Sequence, residues 1–158
     1  MNQKLIASLD IFSGKKTIVT GDTGFKGSWL CMWLHILGAE VLGYALPPEH
    51  VDSHFNAIKL GERIEHIDGD IRDLDLLHST FQSFQPEFVF HLAAQPLVRL
   101  SYEDPKDTFS TNVDGSVNVL EAVRATASVR SLIYVTSDNC YRNNEWIWGY
   151  RETDELGG

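Results

Sequence analysis

Lys16-Thr17-Ile18-Val19-Thr20-Gly21-Asp22-Thr23-Gly24-Phe25-Lys26-Gly27 passes from a β-branched run into three glycines spaced G-x-x-G-x-x-G. The β-branched side chains suit a pleated strand, and the first glycine ends it. Beyond Gly27, Trp29, Leu30, Trp33, Leu34 and Leu37 recur at helical spacing until Gly38 stops the helix. Strand, glycine turn and helix follow one another within about two dozen residues, the usual size of such a unit.

The same alternation continues outward from this unit. Glu40 to Ala45 reads as a second strand, broken by Pro47-Pro48, and Glu65-His66-Ile67 as a third, ending at Gly69-Asp70. Leu74, Leu77, Phe81 and Phe84 share one helical face before Pro86. Phe88 to Leu92 reads as a fully buried strand, Val113, Val117, Leu120, Ala122 and Val123 stripe a long helix, and Leu132 to Thr136 is another buried strand. Near-continuous apolar strands alternating with helices predict a parallel sheet covered on both faces, a doubly wound α/β architecture. No internal repeat or low-complexity linker divides the chain, so residues 1–158 read as one domain. From Arg142 onward the sequence is polar and aromatic without a period and reads as a loop.

The composition fits this architecture and excludes others. The 158 residues are 43% hydrophobic and 22% charged, which is ordinary for a folded domain and unlike disorder or coiled coil. With 22 acidic against 13 basic residues the net charge is -9, so neither nucleic acid nor an anionic membrane is an expected partner. The apolar runs are too short for a membrane span or a signal-peptide core, which points to a cytoplasmic protein. Cys31 and Cys140 are far apart in apolar surroundings and read as two reduced, buried thiols. The six histidines never take metal-binding spacing, and no metal site is expected.

The glycine turn carries the chemistry. Gly21 would allow the tight turn, Gly24 would let backbone approach a phosphate, and Gly27 would let the helix pack on the strand, with the helix N-terminal amides facing the anion. Three glycines also serve a plain loop, but a strand before and a helix after favour a dinucleotide pyrophosphate site. The second strand ends without the acid that commonly binds both ribose hydroxyls of NAD, and the nearest, Glu49, lies past two prolines. No Lys or Arg between Gly38 and Ile58 could neutralise a 2′-phosphate, so the cofactor reading is NAD over NADP.

At this point the sequence resembles the extended short-chain dehydrogenase/reductase family over nearly its whole length. The resemblance rests on TGDTGFKG (20–27), GDIRD (69–73), HLAAQ (91–95), STNVDGS (110–116) and VTSDNCY (135–141), in the family's order. It implies a Rossmann-like fold and a set of NAD contacts: Gly21, Thr23, Gly24, Phe25, Lys26 and Gly27 in the turn, Asp70 accepting from the adenine amino group, and Ile71 flanking the ring. It further implies Leu92, Ala93, Ala94 and Gln95 lining the cofactor, Asn112 anchoring its helix near the nicotinamide, and Thr136 beside it. If the motifs stood singly, Asp70 and Asp73 would read as helix-capping acids, and Asn112 as a polar residue facing water.

Within the family, HLAAQPLVRLSY (91–102) and EWIWGYRE (145–152) resemble the CDP-D-glucose 4,6-dehydratase branch more than the dTDP-glucose or GDP-mannose branches. This implies a lyase of nucleotide-sugar and polysaccharide metabolism in which NAD takes hydride from sugar C4, water leaves across C5 and C6, and the hydride returns to C6. Ser137 would hydrogen-bond the reacting sugar oxygen and Asp138 would protonate the departing hydroxyl, which is otherwise a poor leaving group. Asn139 stands where the family carries a base, and an amide cannot remove a proton. The family's Tyr-x-x-x-Lys is not matched: Tyr141 and Tyr150 are followed four residues later by Glu145 and Asp154. The chain therefore reads as the NAD-binding part of a longer enzyme, truncated before its substrate domain and inactive alone. A non-catalytic dinucleotide-binding module, or a nucleotide-sugar epimerase or reductase, stays open beside that reading. Tyr141, Trp146, Trp148 and Tyr150 could stack on a substrate ring or pack under another domain. Pro105 to Ala125 resembles the family's dimer helix, which implies a homo-oligomer.

Overall fold

The computed structural model describes residues 9–137 and 140–157. Among them, five strands form one all-parallel sheet: β1 (Lys16–Thr20), β2 (Glu40–Ala45), β3 (Glu65–Asp68), β4 (Phe88–His91) and β5 (Ser131–Tyr134). Their order is β3-β2-β1-β4-β5, so the chain leaves β1 toward one edge and returns to build the other. This reversal opens a crevice beyond the carboxyl ends of β1 and β4, where doubly wound sheets bind ligands. The helices are α1 (Phe25–Ile36), α2 (His54–Ala57), α3 (Leu74–Phe84), α4 (Val98–Glu103), α5 (Pro105–Phe109) and α6 (Ser116–Arg124).

Alternation along β1 feeds two cores. Ile18 packs with Leu42, Tyr44, Leu77, Phe81, Val89, Val119 and Ala122, joining the sheet to α3 and α6. Val19 packs on the other face with Cys31, Leu34, Val41, Phe55 and Leu60, beneath α1 and α2. Burial on both faces is what the near-continuous apolar strands require.

Two helices turn differently from their expected faces. Trp29 and Trp33 are 55% and 52% exposed, while Gly27, Ser28, Cys31 and Leu34 face the sheet. Gly27 fixes that rotation: a Cβ there would lie 2.0 Å from the Gly21 carbonyl oxygen, so this smallest residue marks the line of closest approach. In α6 the buried residues are Ser116, Val119 and Ala122, and Val117 and Leu120 point outward, as does Val113 just before it. The long helix expected there is also interrupted, because residues Ser110–Gly115 form a π-helical segment between α5 and α6.

The strands β4 and β5 stop at His91 and Tyr134, short of the expected Leu92 and Thr136. Cys31 is buried, and desolvation followed by the nearby Asp22 charge pushes its thiol far up. Cys140 is exposed, contrary to expectation, because it lies outside both cores, in the segment after the sheet. Residues 142–157 contain no helix or strand; Tyr141 stacks on Tyr150 at 5.2 Å and makes a single bridge to Leu156. No helix of the described residues is long and apolar enough to cross a membrane.

Candidate functional site at the carboxyl edge of the sheet

The glycine turn joins β1 to α1. Gly21 has φ +78°, and a Cβ there would meet the Ala93 backbone nitrogen at 2.8 Å, so both the turn and the contact with the loop after β4 require glycine. Gly24 is the N-cap of α1 without a side-chain cap, and a Cβ there would meet only the Gly21 carbonyl oxygen, at 3.3 Å. Its outer side is thus open, and the first-turn amides of a twelve-residue helix face outward with no intrahelical acceptor. Exposed Lys26 and Phe25 stand at this end, and Thr23 Oγ1 donates to the Leu46 carbonyl at 2.9 Å, tying the turn to the end of β2. An uncapped, open helix N-terminus at the crevice fits the pyrophosphate of a dinucleotide.

Across the crevice, Leu92 to Gln95 are held from beneath. Thr20 Oγ1 accepts from the Leu92 and Ala93 amides at 3.2 Å each, so its own proton goes to His91 Nδ1, 2.7 Å away. The ring proton of His91 then sits on Nε2 and is donated to Ser116 Oγ at 3.1 Å, which also accepts from the Tyr134 hydroxyl at 2.9 Å. Burial holds the His91 imidazole neutral, with its pKa down at about 4. Asn112 lies in the π-helical segment and clamps Gln95 twice: Oδ1 accepts from the Gln95 amide at 2.8 Å and Nδ2 donates to its carbonyl at 3.0 Å. It therefore does not simply face water. The Gln95 side chain is taken up by Thr108 and Leu97, and Ala94 beside it is exposed.

Asp70 and Ile71 follow β3. The Asp70 carboxylate accepts from Arg72 through Nε, Nη2 and the backbone amide, and Arg72 also donates to Asp107 at 2.7 Å. The hydrogen bond from Arg72 keeps this carboxyl below its ordinary range. Ile71 is 4% exposed and its side chain is turned into the core with Leu77 and Val119, away from the flanking position expected of it. Asp73, not Asp70, is the helix cap, accepting from the Leu76 amide at 3.0 Å. Thr136 and Ser137 are exposed just beyond β5, at the same edge of the sheet. Asp138 and Asn139 lie outside the described residues.

One acid at this edge has a partner that the local sequence does not signal. Asp22 is fully buried within the glycine turn; its Oδ2 is 2.7 Å from His66 Nδ1, and the other ring nitrogen of His66 is 3.1 Å from Asp68 Oδ1. Only Gly43, in the middle of β2, hints at this crossing, since a Cβ there would overlap the Asp22 carboxylate.

Strand order, glycine turn and loop arrangement together define an extended short-chain dehydrogenase/reductase. Residues 18–155 match the GDP-mannose 4,6 dehydratase family, and the chain belongs to it. It is 51% identical over 149 residues to the CDP-glucose 4,6-dehydratase of Salmonella typhimurium, a match covering 94% of this chain and 42% of that one. It is 35% identical to the UDP-glucose 4-epimerase of Mycolicibacterium smegmatis, over 77% of this chain and 38% of that one. Among solved structures, the UDP-glucose-4-epimerase of Stenotrophomonas maltophila, with bound NAD and formylated UDP-arabinopyranose, superposes with a TM-score of 0.79 at 25% identity, covering 90% and 43% of the two chains. The chain thus spans well under half the length of these relatives.

Proposed function

We propose that these residues are the NAD-binding part of a nucleotide-sugar 4,6-dehydratase that acts on CDP-D-glucose. The observation that carries the reading is the 51% identity to a CDP-glucose 4,6-dehydratase, sustained over 94% of the chain. NAD is supported as cofactor by the open N-terminus of α1 and by its presence in a solved relative of the same fold.

In this reading the first-turn amides of α1, with Gly21, Thr23, Gly24, Phe25, Lys26 and Gly27, hold the pyrophosphate. Asp70 and Ile71 receive the adenine end, and Arg72 yields part of the Asp70 carboxylate as they do so. Leu92 to Gln95, braced by Asn112, and Thr136 line the path toward the nicotinamide. When bound, NAD supplies a hydride acceptor that is regenerated within each turnover. Ser137 orients the sugar oxygen at the reacting carbon, and Asp138 protonates the C6 hydroxyl as it leaves. Asn139 removes no proton, so either another group is the elimination base or elimination is impaired. The whole enzyme is a cytoplasmic homo-oligomer in polysaccharide synthesis, with the nucleotide sugar as its partner.

The one Tyr-x-x-x-Lys spacing in residues 1–158, Tyr102 to Lys106, runs across the break between α4 and α5, and no lysine follows β5, which favours binding without turnover for these residues alone. Titration calorimetry of the 158-residue chain with NAD and NADP, alongside a CDP-glucose conversion assay, tests the proposal. NAD is expected to bind at least about tenfold more tightly than NADP, with no keto-sugar formed. Absence of NAD binding would overturn the cofactor reading, and conversion of CDP-glucose would overturn the inactivity of the isolated residues.

A further inference from the structure

His66 stands between two carboxylates and belongs to neither the nucleotide contacts nor the sugar chemistry. Its Nδ1 meets Asp22 Oδ2 at 2.7 Å and its Nε2 meets Asp68 Oδ1 at 3.1 Å. Ionised carboxylates only accept hydrogen bonds, so both ring nitrogens donate and the ring is an imidazolium. The hydrogen bond to Asp22 accordingly raises the pKa of His66 above its ordinary value, against the opposing effect of burial.

The two carboxylates are not equivalent. Asp68 is exposed and water can replace His66 beside it, whereas Asp22 is fully buried and its second oxygen, Oδ1, has no hydrogen-bond partner. The imidazolium is thus the one hydrogen-bond donor facing the Asp22 side chain among the described residues. β2 contributes Gly43 beneath the contact, α2 contributes the Phe55 ring, 5.1 Å from His66, and α1 contributes the Cys31 thiol, near Asp22 and held protonated by burial. His54, the titratable residue next to Phe55, is occupied by Ser28 Oγ at 2.7 Å.

Asp22 is a residue of the turn whose amides face the crevice, with Gly21 before it and Gly24 two positions on. From this geometry we propose that protonated His66 is a positioning residue for the glycine turn: it anchors the turn to β3 through Asp22, so that dinucleotide affinity falls as His66 loses its proton. The inference deepens the NAD reading and rests on it. Deprotonation at Nε2, on the side of exposed Asp68, leaves Nδ1–H on Asp22 but removes the only charge opposite a buried carboxylate, a contact that holds only while charge is matched. The turn then moves to hydrate Asp22, and the first-turn amides of α1 lose their alignment toward the pyrophosphate.

The sign follows from the direction of the shift. Below the ordinary histidine pKa the anchor is complete, and it is lost as pH rises through the elevated value in the folded protein. NAD affinity is therefore expected to weaken by about tenfold or more between the two limbs, in step with His66. The test is NAD titration by calorimetry from pH 5.5 to 9.5 on the wild-type chain, with histidine carbon–proton NMR following His66 over the same range. In His66→Gln, which keeps one amide donor without the charge, the affinity should be weaker at low pH and flat across the range. NAD affinity that stays constant through the His66 titration, or a His66 ring that titrates no higher than an ordinary histidine, overturns this inference and leaves the NAD reading intact. Absence of NAD binding at every pH overturns both. The wild-type pH profile and NMR titration decide the matter even if the variant does not fold.

Discussion

His91 shows at the scale of one residue how a polar side chain is kept in a core. Its two nitrogens have complementary roles, accepting from Thr20 and donating to Ser116, so the neutral ring is fully satisfied and nothing there stabilises a second proton. The unfolded imidazole titrates near its ordinary value of 6.5 and the folded one at about 4. Between these values the unfolded chain binds a proton that the folded chain refuses, so this contribution to stability is complete above pH 6.5 and declines as pH falls toward 4. The full effect is roughly 3 kcal/mol. Urea unfolding at pH 7 and pH 4.5 is expected to show this loss in the wild type and a distinctly smaller one in His91→Gln; equal pH dependence in the two would refute it. His66 has the opposite sign, since both of its nitrogens donate to carboxylates. The sequence names both as histidines near strand ends, and only their partners separate a neutral ring from a charged one.

At the scale of the element, α1 on β1 separates glycines that pack from glycines that admit a ligand. A Cβ at Gly27 would lie 2.0 Å from the Gly21 carbonyl oxygen and 2.9 Å from the Asp22 Cα, backbone that cannot yield without moving the helix. At Gly24 the nearest atom is the Gly21 carbonyl oxygen at 3.3 Å, and the outer side is open. Gly27→Ala is therefore expected to lower stability by about 2 kcal/mol or more through overpacking. Gly24→Ala should change thermal unfolding little yet weaken NAD binding severalfold, because the methyl group occupies the phosphate side. Thermal melts together with NAD titration distinguish the two, and an unstable Gly24→Ala or a fully stable Gly27→Ala would count against these roles. The glycine spacing was legible from sequence, and so were the strand and the helix around it. The helix's rotation was not: large apolar residues at i, i+4 and i+8 suggested the buried stripe, whereas glycine and serine mark the line of contact. The π-helical segment was hidden as well; within it Asn112 clamps Gln95, seventeen residues earlier in the chain, a contact that no local pattern shows.

Across the whole molecule the sheet is covered unevenly. β1, β2 and β4 carry residues with no exposure, such as Ile18, Tyr44 and Val89, whereas β5 lies at the sheet's edge with Ile133 and Tyr134 at 40% and 43% exposure. Local opening follows such differences in burial. Hydrogen exchange is expected to be slowest for β1 and β4 amides and at least about tenfold faster for β5. Uniform protection across the five strands would show instead that the sheet opens only as a unit.

The sequence by itself determined the strand–helix alternation, the parallel sheet, the glycine turn at its first crossover and the family, because periodicity and short motifs are local properties of the chain. Residues that follow strand ends, such as Asp70, Leu92 to Gln95 and Ser137, were likewise legible, since in a parallel sheet every strand delivers its following loop to the same edge. Tertiary structure alone decided which face of α1 is buried, that Arg72 reaches Asp107, and that His66 meets Asp22. Each of those depends on atoms brought together from distant positions: His66 and Asp22 are 44 residues apart and meet over a glycine in the strand between them. A side chain's charge and rotation are set by what surrounds it in space, and those surroundings exist only once the sheet has assembled.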